Sequence, residues 1–439
     1  MPPLPAADLL AHPAFPSNHW PLPATHAGHA PINPSSTRPG GPFPLYYELH
    51  GTGPRKLLLI MGLGAFYTAW KRQTLYFAHD DEQRAARYSV LVFDNRGVGK
   101  SGRPLARYST REMALDAVEL MFHVGWLGRE ECAAYAGLQG LGPQAAFVNQ
   151  SPTAADSKPH STNPTTLTTS AHEQSSLSLR NLHLAGVSMG GMIAQELALL
   201  LPPPRIASLF LISTAPRLIR TAPFLTHLSA RLAMFLPRPL DTQLREIADR
   251  LFSRSFLDAP DQDALLHETW CQGMQFESNR DRFAASELMK RREGLGGLGF
   301  ILQAVAAGWH GKSDEQLKEL GERVGRRRVC VMHGREDAML TFVHFEALRA
   351  ALGGEEDGDE DEFDKAIGEG EGLRVDKDAK GRNENDQDKK TRIGNRNPRK
   401  GPRYLTWDDC GHVIGYEREE EFNRAMEEFM DSMADIQQD

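Results

Sequence analysis

Apolar residues recur along this chain in two rhythms. KLLLIMG (56–62), YSVLVFD (88–94), LHLAGV (182–187), IASLFLIS (206–213) and RVCVMHG (328–334) are short, near-continuous apolar runs. Such runs predict strands covered on both faces. LYYELHG (45–51) adds a strand, joined to the first run by Thr52-Gly53-Pro54, and RYLTW (403–407) reads as a short last strand. Elsewhere the period lengthens to that of a helix, in TAWKRQTLYFAH (68–79), residues 189–201, TFVHFEALRAAL (341–352) and EEFNRAMEEFM (420–430). A capping box opens one more: Ser109, with Glu112 three residues on, precedes the stripe Met113, Ala117, Leu120 and Met121, which ends at Gly125. Strands that alternate with helices predict an α/β fold, with a mostly parallel central sheet and helices on both faces. Residues 215–315 break the rhythm: their pattern is helical and holds no clear strand. A helical excursion between two core strands predicts a cap over the carboxyl edge of the sheet, where ligands bind in open α/β sheets.

Composition marks three further segments. Residues 1–43 are rich in proline and poor in charge, although Leu9, Leu10, Phe15 and Trp20 offer apolar contacts by which the arm is expected to lie along the domain. Residues 137–179 are dominated by Ser, Thr, Pro, Ala and Gln, and residues 353–402 run from an acidic block to a basic one. Neither can bury enough apolar surface to offset its ordering entropy, so both are expected to be disordered insertions. The expected organisation is an arm (1–43), core (44–136), insertion (137–179), core (180–214), cap (215–315), core (316–352), insertion (353–402) and core with the C-terminal helix (403–434). The net charge of −8 argues against a non-specific nucleic-acid partner. The four cysteines form no CxxC pair and no disulfide framework, which points to reduced thiols and a cytoplasmic setting. The N-terminus has no basic and apolar signal pattern, and no stretch reaches the roughly 18 apolar residues of a membrane span.

The candidate chemistry lies in Gly186-Val187-Ser188-Met189-Gly190, a GxSxG between a predicted strand and a predicted helix. In that setting the serine sits on a tight turn with its Oγ above the sheet, and Gly186 and Gly190 are needed because strand and helix backbones crowd there. A serine nucleophile needs a base and an orienting acid, which follow an elbow of this kind in the order Ser, Asp/Glu, His. Asp337 follows the strand RVCVMHG, and His412 follows RYLTW; both lie on the edge where Ser188 emerges. Asp408 and Asp409 are nearer to His412 in sequence, but they share its turn and are poorly placed to reach its Nδ1. The oxyanion donors are expected to be the backbone N–H groups of Met189 and of Leu63, in the loop after KLLLIMG.

These residues, with IMGLGAFYTAW, VLVFDNRGVGKS, GVSMGGMIAQELA, HGREDAM and GHV, make the chain resemble the α/β-hydrolase fold superfamily. The similarity is to its single-domain, esterase- and lipase-like members common in fungi. It spans residues 44–418 apart from the two insertions. It implies catalytic roles for Ser188, Asp337 and His412, a small-molecule ester or lipid-derived substrate, and no metal or organic cofactor. In one departure, Met61 precedes Gly62 where many members carry His-Gly.

Other motifs are weaker. GVGKS (97–101) lacks the first glycine of a phosphate loop, since that position is Asp94. GLGGLG (294–299) follows a charged helical pattern rather than a strand, so it does not predict dinucleotide binding. The stripe FLTHLSARLAMFL (224–236) reads as a cap helix, with a peripheral membrane contact as the alternative. Carbon–carbon bond hydrolysis, acyl transfer and a non-catalytic binding role remain alternatives to ester cleavage, whereas serine at 188 disfavours epoxide opening, which uses aspartate.

Overall fold

A computed structural model describes residues 4–149, 180–219, 238–292, 297–353 and 401–435. The apolar runs become strands of one sheet: β1 (His26–Ile32), β2 (Phe43–His50), β3 (Arg55–Ile60), β4 (Tyr88–Phe93), β5 (Leu182–Val187), β6 (Ile206–Ile212), β7 (Val329–Gly334) and β8 (Arg403–Trp407). Their order across the sheet is β1-β2-β4-β3-β5-β6-β7-β8. β2 runs antiparallel to both β1 and β4, and every later pairing is parallel. β4, β5, β6 and β7 are buried at every residue, as helices on both faces require.

The two faces fill separately because strand side chains alternate. Leu184 and Leu209 join the core beneath helices Thr110–His123, Met189–Leu200, Asp314–Val324 and Val343–Leu352. Their neighbours Ala185 and Phe210 face Phe77, Phe422 and Phe429, from helices Lys71–Ala78 and Glu419–Asp435. The predicted capping box has its first half: Ser109 Oγ accepts the Glu112 N–H at 3.1 Å.

Two expectations need correction. The N-terminal arm does more than lie along the domain, because it forms regular elements of its own. It forms the helix Ala6–Ala11, and HAGHAPI becomes edge strand β1. Leu9, Phe15 and Trp20 are buried as expected, but Leu10 is exposed because it falls on the outer side of the arm's helix. The segment expected to be unpacked from residue 137 is packed as far as 149. Leu138 is buried, Phe147 stacks on His26 at 3.7 Å, and Val148 lies against Gly125. Residues 150–179, 220–237, 293–296 and 354–400 lie outside the described residues, and with them lie most of both expected insertions, the stripe 224–236 and half of GLGGLG.

The excursion between β6 and β7 is helical where described, with Leu240–Leu251, Asn279–Arg292 and Leu298–Gly308 among its helices. The N-terminal arm braces it: Leu9 and Phe15 pack with Leu244, Phe276 and Leu288.

Candidate active site

Ser188 caps β5 with φ 58° and ψ −122°. A side-chain-bearing residue there is strained by about 1–3 kcal/mol. The surroundings hold it in place. The Ser188 N–H donates to Ile212 O at 2.9 Å, and Ser188 O accepts from Thr214 Oγ1 at 2.7 Å and from the Gly191 N–H at 3.0 Å. Gly186 and Gly190 are there for space. A Cβ on Gly186 would lie 2.2 Å from Gly190 O, and one on Gly190 would lie 2.1 Å from Ile60 O. Ser188 is half-buried, and among the described residues its Oγ makes no hydrogen bond.

Asp337 and His412 meet directly, with Nδ1 2.7 Å from Oδ2. Their loops join at the ends of β7 and β8. The Arg335 N–H donates to Trp407 O at 2.8 Å and the Glu336 N–H to Cys410 O at 2.9 Å. A side chain at Gly334 would strike Gly411 O, at 2.1 Å. Asp337 is buried, and its Oδ1 accepts the N–H groups of Met339 and Leu340, each at 2.8 Å. His333 closes the other side. Its Nε2 donates to Leu340 O at 2.8 Å and stands 3.3 Å from Asp337 Oδ2. Burial lowers the His333 pKa, which favours a neutral ring that holds its proton on Nε2. Asp408 turns outward to Arg335, at 2.9 Å.

The loop expected to supply an oxyanion donor lies on the serine: a Cβ on Gly62 would be 3.0 Å from Ser188 Cβ. Leu63 follows in that loop. Met189 begins the helix Met189–Leu200, so its N–H is one of the first-turn donors without an intrahelical acceptor. The structure thus gathers the Leu63 loop, Ser188 and Met189 at the end of β5, and Asp337 with His412 at the ends of β7 and β8.

Residues not singled out from the sequence complete the surroundings. The His412 N–H donates to Leu251 O at 2.7 Å, at the end of a cap helix. Buried Glu417 accepts the Gly411 N–H at 2.8 Å and the Ser253 hydroxyl at 2.6 Å, which ties the histidine loop to the cap. Burial raises its pKa to about 7, against the lowering effect of those hydrogen bonds. Gln303, from the cap helix Leu298–Gly308, accepts the Gly64 N–H at 2.9 Å. A fully buried amide in the apolar run LGFILQAVAAG was a readable signal, because such a group needs partners. Glu417 gave no comparable signal.

The GVGKS stretch is a loop around Asp94, whose carboxylate accepts the N–H groups of Tyr67 at 2.8 Å and Lys100 at 2.9 Å. Among the described residues, no group of three or more His, Cys, Asp or Glu is placed to hold a metal ion. No described helix is long and apolar enough to cross a membrane.

Residues 49–352 match the model of the Alpha/beta hydrolase family. Over 86 residues the chain is 37% identical to a protein of Azorhizobium caulinodans named "Putative carbamate hydrolase RutD", a match that spans 20% of this chain and 29% of that protein. The chain thus covers only about a third of the length of such relatives. Among solved structures, a bromoperoxidase from Bacillus anthracis superposes with a TM-score of 0.51 at 17% identity, covering 92% of this chain and 100% of the other. An esterase from Exiguobacterium antarcticum gives 0.50 at 15% identity, covering 92% and 98%. At those identities the likeness is one of fold.

Proposed function

Because this chain belongs to the alpha/beta hydrolase family, we propose that it is a serine hydrolase that cleaves carboxylic esters, lipid-derived ones included, through an acyl-enzyme on Ser188. The observation that carries the reading is the 2.7 Å contact between Asp337 and His412 on the carboxyl edge where Ser188 stands on its positive-φ turn. In this reading His412 Nε2 takes the proton of Ser188 Oγ as that oxygen attacks the ester carbonyl. Asp337 keeps the ring proton on Nδ1 and stabilises the imidazolium that forms. The N–H groups of Leu63 and Met189 receive the oxyanion. Collapse of the tetrahedral species passes the proton to the leaving alkoxide. Water, activated by the same imidazole, then releases the acid. The free serine makes no hydrogen bond to the ring, and such contacts tighten when substrate binds. The chemistry calls for no metal or organic cofactor. The four cysteines, all buried and none in a disulfide, support a reducing, cytoplasmic setting.

The similar proteins are named as an esterase, a carbamate hydrolase and a bromoperoxidase, and a substrate panel decides between the first two chemistries. p-Nitrophenyl esters of graded chain length, with p-nitrophenyl carbamates beside them, are expected to show turnover of esters that Ser188→Ala abolishes. Full ester turnover by folded Ser188→Ala would exclude the acyl-enzyme.

A further inference from the structure

The loop between β3 and the helix Lys71–Ala78 is anchored at two peptide planes. Asn95 Nδ2 donates to Met61 O at 2.9 Å, which fixes the plane joining Met61 to Gly62. Gln303 Oε1 accepts the Gly64 N–H at 2.9 Å, which fixes the plane joining Leu63 to Gly64. Between them lies one plane, and it carries the Leu63 N–H. Its carbonyl, Gly62 O, accepts the Ala65 N–H at 3.4 Å. In a trans peptide the N–H points opposite to its carbonyl, so the Leu63 N–H faces away from this turn. Gly64 takes φ +69°, a left-handed conformation that suits glycine.

Gln303 reaches the loop from a helix that is itself locked down. Its Nε2 donates to Arg96 O at 2.8 Å, in the loop after β4, and Gly299 presses so closely on that second loop that a Cβ there would lie 2.0 Å from Gly97 O. The side chain is fully buried, and both ends of its amide are satisfied by backbone.

We infer that Gln303 is a positioning residue: from the cap, it holds the Leu63 amide in the orientation that receives the oxyanion. The inference rests on the serine-hydrolase reading above. It also ties the placement of the cap to the catalytic power of the core, because a cap helix that moved away would release the oxyanion loop.

The test uses the full-length protein with Gln303→Leu and Gln303→Met, which keep the volume and remove the hydrogen bonds. Active sites are titrated with a fluorophosphonate, and kcat is expressed per labelled site. Expected are a kcat at least tenfold lower, a KM within about threefold, and a Ki for an alkylboronic acid that rises in step with the loss in kcat/KM. Removal of a whole oxyanion donor costs on the order of 10²–10³ in kcat, so a displaced donor falls below that range. A structural role alone would lower the melting temperature or the labelled fraction and leave kcat per site and the boronate Ki unchanged; that result overturns the inference. Failure of both variants to fold would assign Gln303 to the fold and overturn it too. If the wild type labels, Ser188→Ala does not, and both Gln303 variants match the wild type, only this inference falls. A wild type that neither labels nor hydrolyses any ester removes the parent reading and this inference with it.

Discussion

Asp337 accepts two backbone N–H groups on one oxygen and faces His412 and His333 with the other. Asp337→Asn would keep its oxygen on those two N–H groups and turn its amide N–H toward Nδ1, which favours the wrong tautomer of the ring. The expected loss in kcat is on the order of 10⁴, the scale seen when the acid of such a triad is neutralised. An Asp408→Asn variant, altered at the surface, is expected to match the wild type in the same steady-state assay; a larger loss there than at Asp337 would reverse the roles. Glu417 gives a prediction in pH. With a folded pKa of about 7 against an ordinary 4.5, the folded state holds more protons than the unfolded chain between those values. Stability from this group is therefore present below about pH 4.5 and lost as pH rises through 7. Melting temperatures between pH 5 and pH 8 should fall more in the wild type than in Glu417→Gln; equal slopes would contradict this. Ser188, Asp337 and His412 could be picked out as candidates from the sequence because each stands next to a turn glycine or just past an apolar strand. Glu417 was not, since its partner Ser253 lies far away in sequence and only the folded chain brings the two together.

At the scale of elements, the crossing of β5 with the helix Met189–Leu200 depends on missing side chains. Gly190→Ala would force a methyl to within 2.1 Å of Ile60 O, a contact that requires strand or helix to move. Overpacking of this kind costs about 1–3 kcal/mol. The variant is expected to melt lower and to lose ester turnover together. Full activity with an unchanged melting curve would show that the elbow tolerates a Cβ. The buried central strands could be read directly because burial on both faces leaves near-continuous apolar letters. β1 could not: HAGHAPI has histidines, a glycine and a proline, and alternates its burial as an edge strand does. Proline is tolerated there because an edge strand need not donate every N–H. The register of Ile32 opposite Phe43, not the sequence, shows it to be part of the sheet.

At the scale of the whole molecule, the sheet carries Ser188 and the Asp337–His412 pair, while the cap touches both the loop of Leu63 through Gln303 and the loop of His412 through Leu251 and Ser253. The cap's helical character could be read from the sequence, but these contacts could not, since they join residues 161 to 239 positions apart. The charged segment separates Asp337 from His412 in sequence, yet its described flanks meet: Tyr404 OH donates to Arg349 O at 3.3 Å. Loop closure entropy grows only logarithmically with length. Replacing residues 355–400 with a short Gly/Ser linker should therefore leave kcat/KM within about threefold. A folded deletion variant that hydrolyses none of the parent's esters would place that segment in the active site.

The central claim, that Ser188 is the nucleophile of this hydrolase, is tested most directly by fluorophosphonate labelling followed by peptide mass mapping. The account predicts one adduct per chain, on the peptide holding Gly186-Val187-Ser188-Met189-Gly190, and none in folded Ser188→Ala. An adduct on a different residue, or equal labelling of the two proteins, would contradict it.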